Sequence, residues 1–138
     1  GIFYAFFFLV KYKLQKKYFE IAKTYYTTAD YDVRNYKAAI QAFDNLLSDY
    51  LGSEFKEEAL YYRLKAAHDF VLKSYDRRKQ ERIKDAIEAY DKLKRNYPES
   101  QYMEEANEML AVLQSEKIRI DALIEQLKEI NVENSKEK

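Results

Sequence analysis

Residues 36–70 can be laid over residues 83–117 without a gap, at a constant offset of 47. Eleven of the 35 aligned positions are identical: Lys37/Lys84, Ala39/Ala86, Ile40/Ile87, Ala42/Ala89, Asp44/Asp91, Leu46/Leu93, Tyr50/Tyr97, Ser53/Ser100, Glu57/Glu104, Glu58/Glu105 and Ala59/Ala106. Phe43/Tyr90 and Phe55/Tyr102 keep an aromatic ring at matched places. A chain that repeats itself in this way builds one unit more than once and stacks the copies, because a single unit cannot bury its own apolar face. That constraint removes most folds at once.

Each copy reads as helix, tight turn, helix. Ile40, Phe43, Leu46, Leu47 and Tyr50 share a helical face in the first copy, and Ile83, Ile87, Tyr90, Leu93 and Tyr97 do so in the second. The paired alanines let a neighbouring helix approach closely. Breakers follow at Leu51-Gly52 and at Pro98, and Ser53 and Ser100 fall where helix N-caps are wanted, with glutamates in the next turn. Small residues, aromatics and a terminal Pro at these places mark a tetratricopeptide-type unit of roughly 34 residues. An earlier helix is visible from Lys17 to Tyr26, an extra loop from Thr27 to Arg34, and a connection from Val71 to Arg82 that takes up the longer offset. Met109, Leu110, Leu113, Ile120, Leu123, Leu127 and Ile130 predict a long terminal helix, with a break allowed near Ser115. The expected fold is all-α: a right-handed solenoid of antiparallel helix pairs over residues 13–130, a solvated and disordered tail over 131–138, and a separate apolar segment or sequence edge over 1–12.

Composition enters mainly to exclude. Without cysteine there is no disulfide scaffold and no thiol chemistry. Twenty-four basic residues cancel 24 acidic ones, so no overall field gathers nucleic acid or anionic lipid. The apolar run from Ile2 to Val10 is too short to cross a bilayer as a helix, and it lacks the flanks of a signal peptide. It reads as a helix covered all round, by this chain, by sequence upstream of it, or by a second copy, which would make a homodimer through Ile2 to Val10.

Catalytic candidates are few. The single His68 adjoins Asp69, but neighbouring helical residues point about 100° apart, so no oriented base–carboxylate pair is expected. One histidine and no cysteine leave zinc short of ligands, and two glycines cannot form a phosphate loop. No cofactor and no metal are expected, and the protein is not expected to be an enzyme. The glutamate pairs 57–58 and 104–105 are read as complements to helix N-termini. Lys73 to Lys84 holds six basic residues, and Arg77, Arg78 and Arg82 within it are candidates for pairing with a partner's carboxylates. Tyr61, Tyr62, Arg63, Lys65 and His68 are the further partner-binding candidates, on a helix whose neighbours would line the inner surface of a solenoid.

The stretches KLQKKYFEIAKTYY, NYKAAIQAFDNLLSDY, EFKEEALYYRLKAAHDF, KQERIKDAIEAYDKLKRNYPES and QYMEEANEML together resemble the C-terminal part of the BamD-like family, nearest to its Bacteroidetes-type members. The resemblance spans about residues 13–113. It implies a periplasm-facing lipoprotein scaffold of the outer membrane, held only by a lipid anchor. Its implied partners are the periplasmic domain of the barrel insertase and unfolded outer-membrane proteins. The lipid-bearing cysteine and the family's earlier repeats are not in this sequence. A Tol–Pal or peptidoglycan-coordinating scaffold, or the recruiting domain of a larger enzyme, is the alternative.

Overall fold

The computed structural model describes residues 1–50 and 52–137. These form α1 (Ile2–Thr28), α2 (Arg34–Asp49), α3 (Lys56–Leu72), α4 (Asp76–Asn96) and α5 (Met103–Lys136). Helices α1 and α2 pack as one hairpin and α3 and α4 as the next, while α5 closes the second hairpin from the far side. Helix α2 also lies on α3, and α3 touches both α1 and α5. The backbones of α2 and α4 stay apart, so α1, α3 and α5 form one layer and α2 and α4 the other. The fold is therefore the all-helical stack of pairs that the repeat predicts.

Helix α3 is the keel, and its sequence shows why. Eight of its nine buried residues come as the doublets Ala59-Leu60, Arg63-Leu64, Ala66-Ala67 and Phe70-Val71, and the ninth is Tyr61. The first members meet α2: Ala59 and Ala66 join Ala39, Phe43 and Leu46 in one apolar cluster, and Phe70 stacks on Tyr36. The second members meet α4, with Leu60 and Leu64 against Ala89, Tyr90 and Leu93, and with Ala67 and Val71 against Ile83 and Ala86. Steps of four, three and four keep two adjacent columns aligned along a helix of 3.6 residues per turn. One helix can then hold a neighbour on either side.

The twice-written turn has the same geometry both times. Tyr50 and Tyr97 end α2 and α4 with φ/ψ of −131/67° and −140/69°. Their carbonyls accept from the Ser53 and Ser100 amides at 3.0 Å in both copies. Each serine Oγ then accepts from the amide two residues on, Phe55 at 3.0 Å and Tyr102 at 3.1 Å. The serines thus stabilise the turn ahead of the helix, and the N-cap positions themselves fall to Phe55 and Tyr102. Leu51 lies outside the described residues. No described residue has positive φ, so Gly52 supplies no left-handed cap and the stop is made by tyrosine geometry.

Three expectations change. The connection from Val71 to Arg82 is not extended: only residues 73–75 lie between α3 and α4, and the additional length is taken up as helical turns. Helix α5 runs unbroken through Ser115, where Leu113 and Ile120 remain buried on either side. It continues to Lys136, so the polar tail is helical, although residues 125–137 are exposed. The last residue of that tail, Lys138, lies outside the described residues. Residues 2–10 are helical as well, yet the described residues leave them exposed, most of all at the start, where Phe3 is 90% exposed. No helix among the described residues is long and apolar enough to cross a membrane.

Helices α4 and α5 are latched at one end by ions. Lys79 donates to Glu116 at 2.9 Å, and Arg119 reaches both Glu116 and Asp76. Hydrogen bonds from Arg119 and then Lys79 hold the Glu116 carboxyl down at about 2, against an ordinary 4.5. A depressed carboxylate stabilises the fold above its unfolded value and ceases to do so as protons bind the native state. The Glu116 contribution is therefore complete above about pH 4.5 and disappears as pH falls toward 2. The expected result is a gap in Tm between parent and Glu116→Gln that is widest near neutrality and closes through that window. Thermal melts followed by circular dichroism at stepped pH measure it.

Candidate interaction surfaces

The residues singled out from sequence divide between two surfaces on opposite sides of α3. Tyr61, Lys65 and His68 follow each other at steps of four and three, about half a turn from Arg63. Tyr61 and Lys65 face the α5 side, and Tyr62 turns toward α1. The Tyr62 ring stacks parallel to Phe43 and meets Phe19 edge-on, with the Lys23 ammonium 5.1 Å above it. Tyr61 stacks on Tyr102 with centroids 4.1 Å apart, donates to Glu105 at 2.6 Å, and accepts from Lys65 at 3.2 Å. Burial and then Glu105 push the Tyr61 hydroxyl up to about 12. Burial alone would lower the Lys65 ammonium, but Tyr61 and Glu105 outweigh it and raise it. Both groups keep their protons at physiological pH, so the face presents fixed donors.

His68 and Asp69 do meet, contrary to the sequence expectation: His68 Nδ1 lies 2.9 Å from Asp69 Oδ1. The 100° between their Cα directions is bridged because Asp69 leans toward its other partner, Tyr26, whose hydroxyl donates at 2.6 Å. Burial would raise the Asp69 carboxyl, yet hydrogen bonds from His68 and Tyr26 hold it below its usual range. The same contact, after burial, pushes the Tyr26 phenol far up. His68 Nε2 is buried with no hydrogen-bond partner among the described residues. The trio links α1 to α3.

Arg63 belongs to the other side. Its side chain is 10% exposed, and its guanidinium donates to Asp44 on α2 at 2.7 Å and to both oxygens of Asp85 on α4. It forms the floor of the cleft that separates α2 from α4. Burial would lower its basicity, but the two carboxylates raise it overall. Arg78 and Arg82 stand on the rim of the same cleft, with Lys37 opposite. Arg82 lies 4.0 Å over the Phe70 ring and donates to Ser74 Oγ at 2.6 Å. Arg77 is exposed and hangs 5.9 Å from the Tyr75 ring. The eight candidates therefore do not make one site: four sit on the α1–α3–α5 layer, Arg63, Arg78 and Arg82 line the α2–α4 cleft, and Arg77 stands apart on the surface beside Tyr75.

Five contributors escaped the sequence reading: Lys23, Tyr26, Asp69, Tyr102 and Glu105. Glu105 was legible only as a helix-dipole partner, whereas it anchors both Tyr61 and Lys65. No group of three or more His, Cys, Asp or Glu among the described residues is arranged to hold a metal ion.

Stacked helical hairpins, with polar side chains spent on fixing helix to helix, define the class: an all-helical, tetratricopeptide-like repeat protein. A family model described as YfiO, outer membrane lipoprotein, matches residues 5–126, and the chain belongs to that family. No curated protein matches it. The family placement agrees with the BamD-like resemblance carried by the five stretches quoted above.

Proposed function

We propose that the protein is a non-enzymatic scaffold in the assembly of outer-membrane β-barrel proteins, working at the periplasmic face and of the Bacteroidetes type. Its partners are the periplasmic domain of the barrel insertase and unfolded outer-membrane proteins. The observation that carries this reading is the family match over residues 5–126, which takes in both hairpins. The α1–α3–α5 layer suits the task. Aromatic rings and ammonium groups held by neighbours lose little freedom when a partner docks, so less of the contact energy is consumed by ordering. Tyr61, Tyr62, Lys65 and His68, with Lys23 beside them, are the contact residues on that layer, and Arg77 and Arg78 offer carboxylate pairing at the opposite corner.

Titration of the insertase's periplasmic domain into the purified protein tests this. Binding is expected, and the double variant Lys23→Glu/Lys65→Glu is expected to weaken it at least about tenfold while circular dichroism still reports a folded helical protein. Absence of a complex with the parent protein refutes the partner, and equal binding by the variant refutes the surface.

A further inference from the structure

Arg63 divides the cleft between α2 and α4, because its bonds to Asp44 and Asp85 bridge the two helices. On one side of that bridge the cleft encloses about 470 Å³ and is lined by Lys37 of α2 and by Arg78 and Arg82 of α4. Lys37 lies in the first turn of α2 and Arg78 in the first turn of α4. The far ends of the same helices, at Ser48 and Asn96, line the opening on the other side. Both helices therefore turn their positive ends toward the first opening. Among the described residues Lys37, Arg78 and Arg82 pair with no carboxylate. Burial, and then the charge of Arg78 nearby, lower the basicity of Arg82, so the two guanidinium groups crowd each other. The rim sets these three cations against the single carboxylate of Glu81.

Below the rim the lining changes character: Ile40, Ala67 and Phe70 make an apolar floor, and the Arg63 bridge beside it holds two carboxylates to one guanidinium. A polyanion would carry its further charges over Asp44 and Asp85, whereas a peptide can place charge on the rim and an apolar group on the floor. We propose that this opening binds an extended acidic segment of a protein partner, with carboxylates on Lys37 and on Arg78 and Arg82 and an apolar side chain between them. Alternate side chains of an extended chain share a face, so the segment follows the pattern acid-x-apolar-x-acid. The guanidinium forks suit carboxylates, and the space is of the size that holds small ligands. Helices α2 and α4 flank α3 in the middle of the stack. A further pair stacked at either end would seat on α1 or on α5, so this cleft stays open whatever precedes or follows these residues. The proposal rests on the scaffold reading, to which it adds a second partner surface on the layer opposite Tyr61 and Lys65.

The probe is a fluorescently labelled peptide, Gly-Ser-Glu-Ser-Phe-Ser-Glu-Ser-Gly, titrated into the purified protein and followed by anisotropy. Saturable binding is expected, weakening as salt is raised. Replacing both peptide glutamates by glutamine, or the phenylalanine by serine, is expected to weaken it at least about tenfold. The variant Lys37→Glu/Arg78→Glu is expected to lose at least about tenfold as well. Both residues are exposed and sit in first turns, where a carboxylate suits the helix dipole, so its circular dichroism is expected to match the parent. Lys23→Glu/Lys65→Glu, on the other layer, is expected to bind the peptide as the parent does. No binding by the parent, equal binding of the glutamine peptide, undiminished binding by Lys37→Glu/Arg78→Glu, or loss of binding in Lys23→Glu/Lys65→Glu overturns the proposal. Tighter binding of a single-stranded oligonucleotide than of the peptide overturns it too, since that marks a phosphate site. No insertase enters the titration, so a failure here is distinct from a failure of the scaffold reading.

Discussion

Phe43→Ala is expected to lower the unfolding free energy by about 3–5 kcal/mol, enough to remove much of the stability of a domain this size. The Phe43 ring is fully buried and sits where three helices converge. It lies parallel to Tyr62 of α3 with centroids 6.1 Å apart and edge-on to Phe19 of α1 at 6.2 Å. Truncation removes a large apolar area and leaves a void that the alanines around it, Ala39, Ala59 and Ala66, are too small to fill. Phe43→Leu, which keeps most of the volume, is expected to cost less than half as much. Urea denaturation followed by circular dichroism measures both, with an unchanged slope showing that only the native state was affected.

The second large effect is an asymmetry around Arg63. The paired variant Asp44→Asn/Asp85→Asn strands a guanidinium that is only 10% exposed, and a loss of about 3–5 kcal/mol is expected. Arg63→Met removes the charge instead and leaves two carboxylates that are 43% and 42% exposed. Water can solvate those, and the methionine stem packs in place of the arginine stem, so the expected cost is about 1 kcal/mol or less. Equal costs for the two variants would mean that Arg63 works through packing alone. The same denaturation series decides between them.

The architecture was legible because it rests on spacing, which a sequence displays. Matched alanines and aromatics 47 residues apart become matched seams, and Tyr50 and Tyr97 become matched helix ends. The surfaces were less legible, because neighbours in a surface come from different helices. Arg63 was read with Tyr62 and Lys65 since all three lie within four residues. A helix turns about 100° per residue, however, so the three point to different neighbours, and only Asp44 and Asp85 decide that Arg63 faces the cleft. His68 and Asp69 failed for the opposite reason. Their Cα directions diverge, yet a hydroxyl from α1, 43 positions away, draws the carboxylate to where the two can meet. The segment from Val71 to Arg82 misled through its charge density, which suits a solvated loop and equally the exposed face of α4. There Ile83, Ala86 and Ala89 supply the inward column.

Amide hydrogen exchange under native conditions, resolved by helix, tests whether α3 is the element on which both layers depend. Slowest exchange is expected across Leu60 to Val71, at the rate of global unfolding. Protection should fall outward through α2 and α4 and be least in residues 2–10 and 125–137. Exchange in α3 as fast as in those exposed ends, or two hairpins that open independently with α3 joining only one of them, would contradict a stack built on a single two-sided keel.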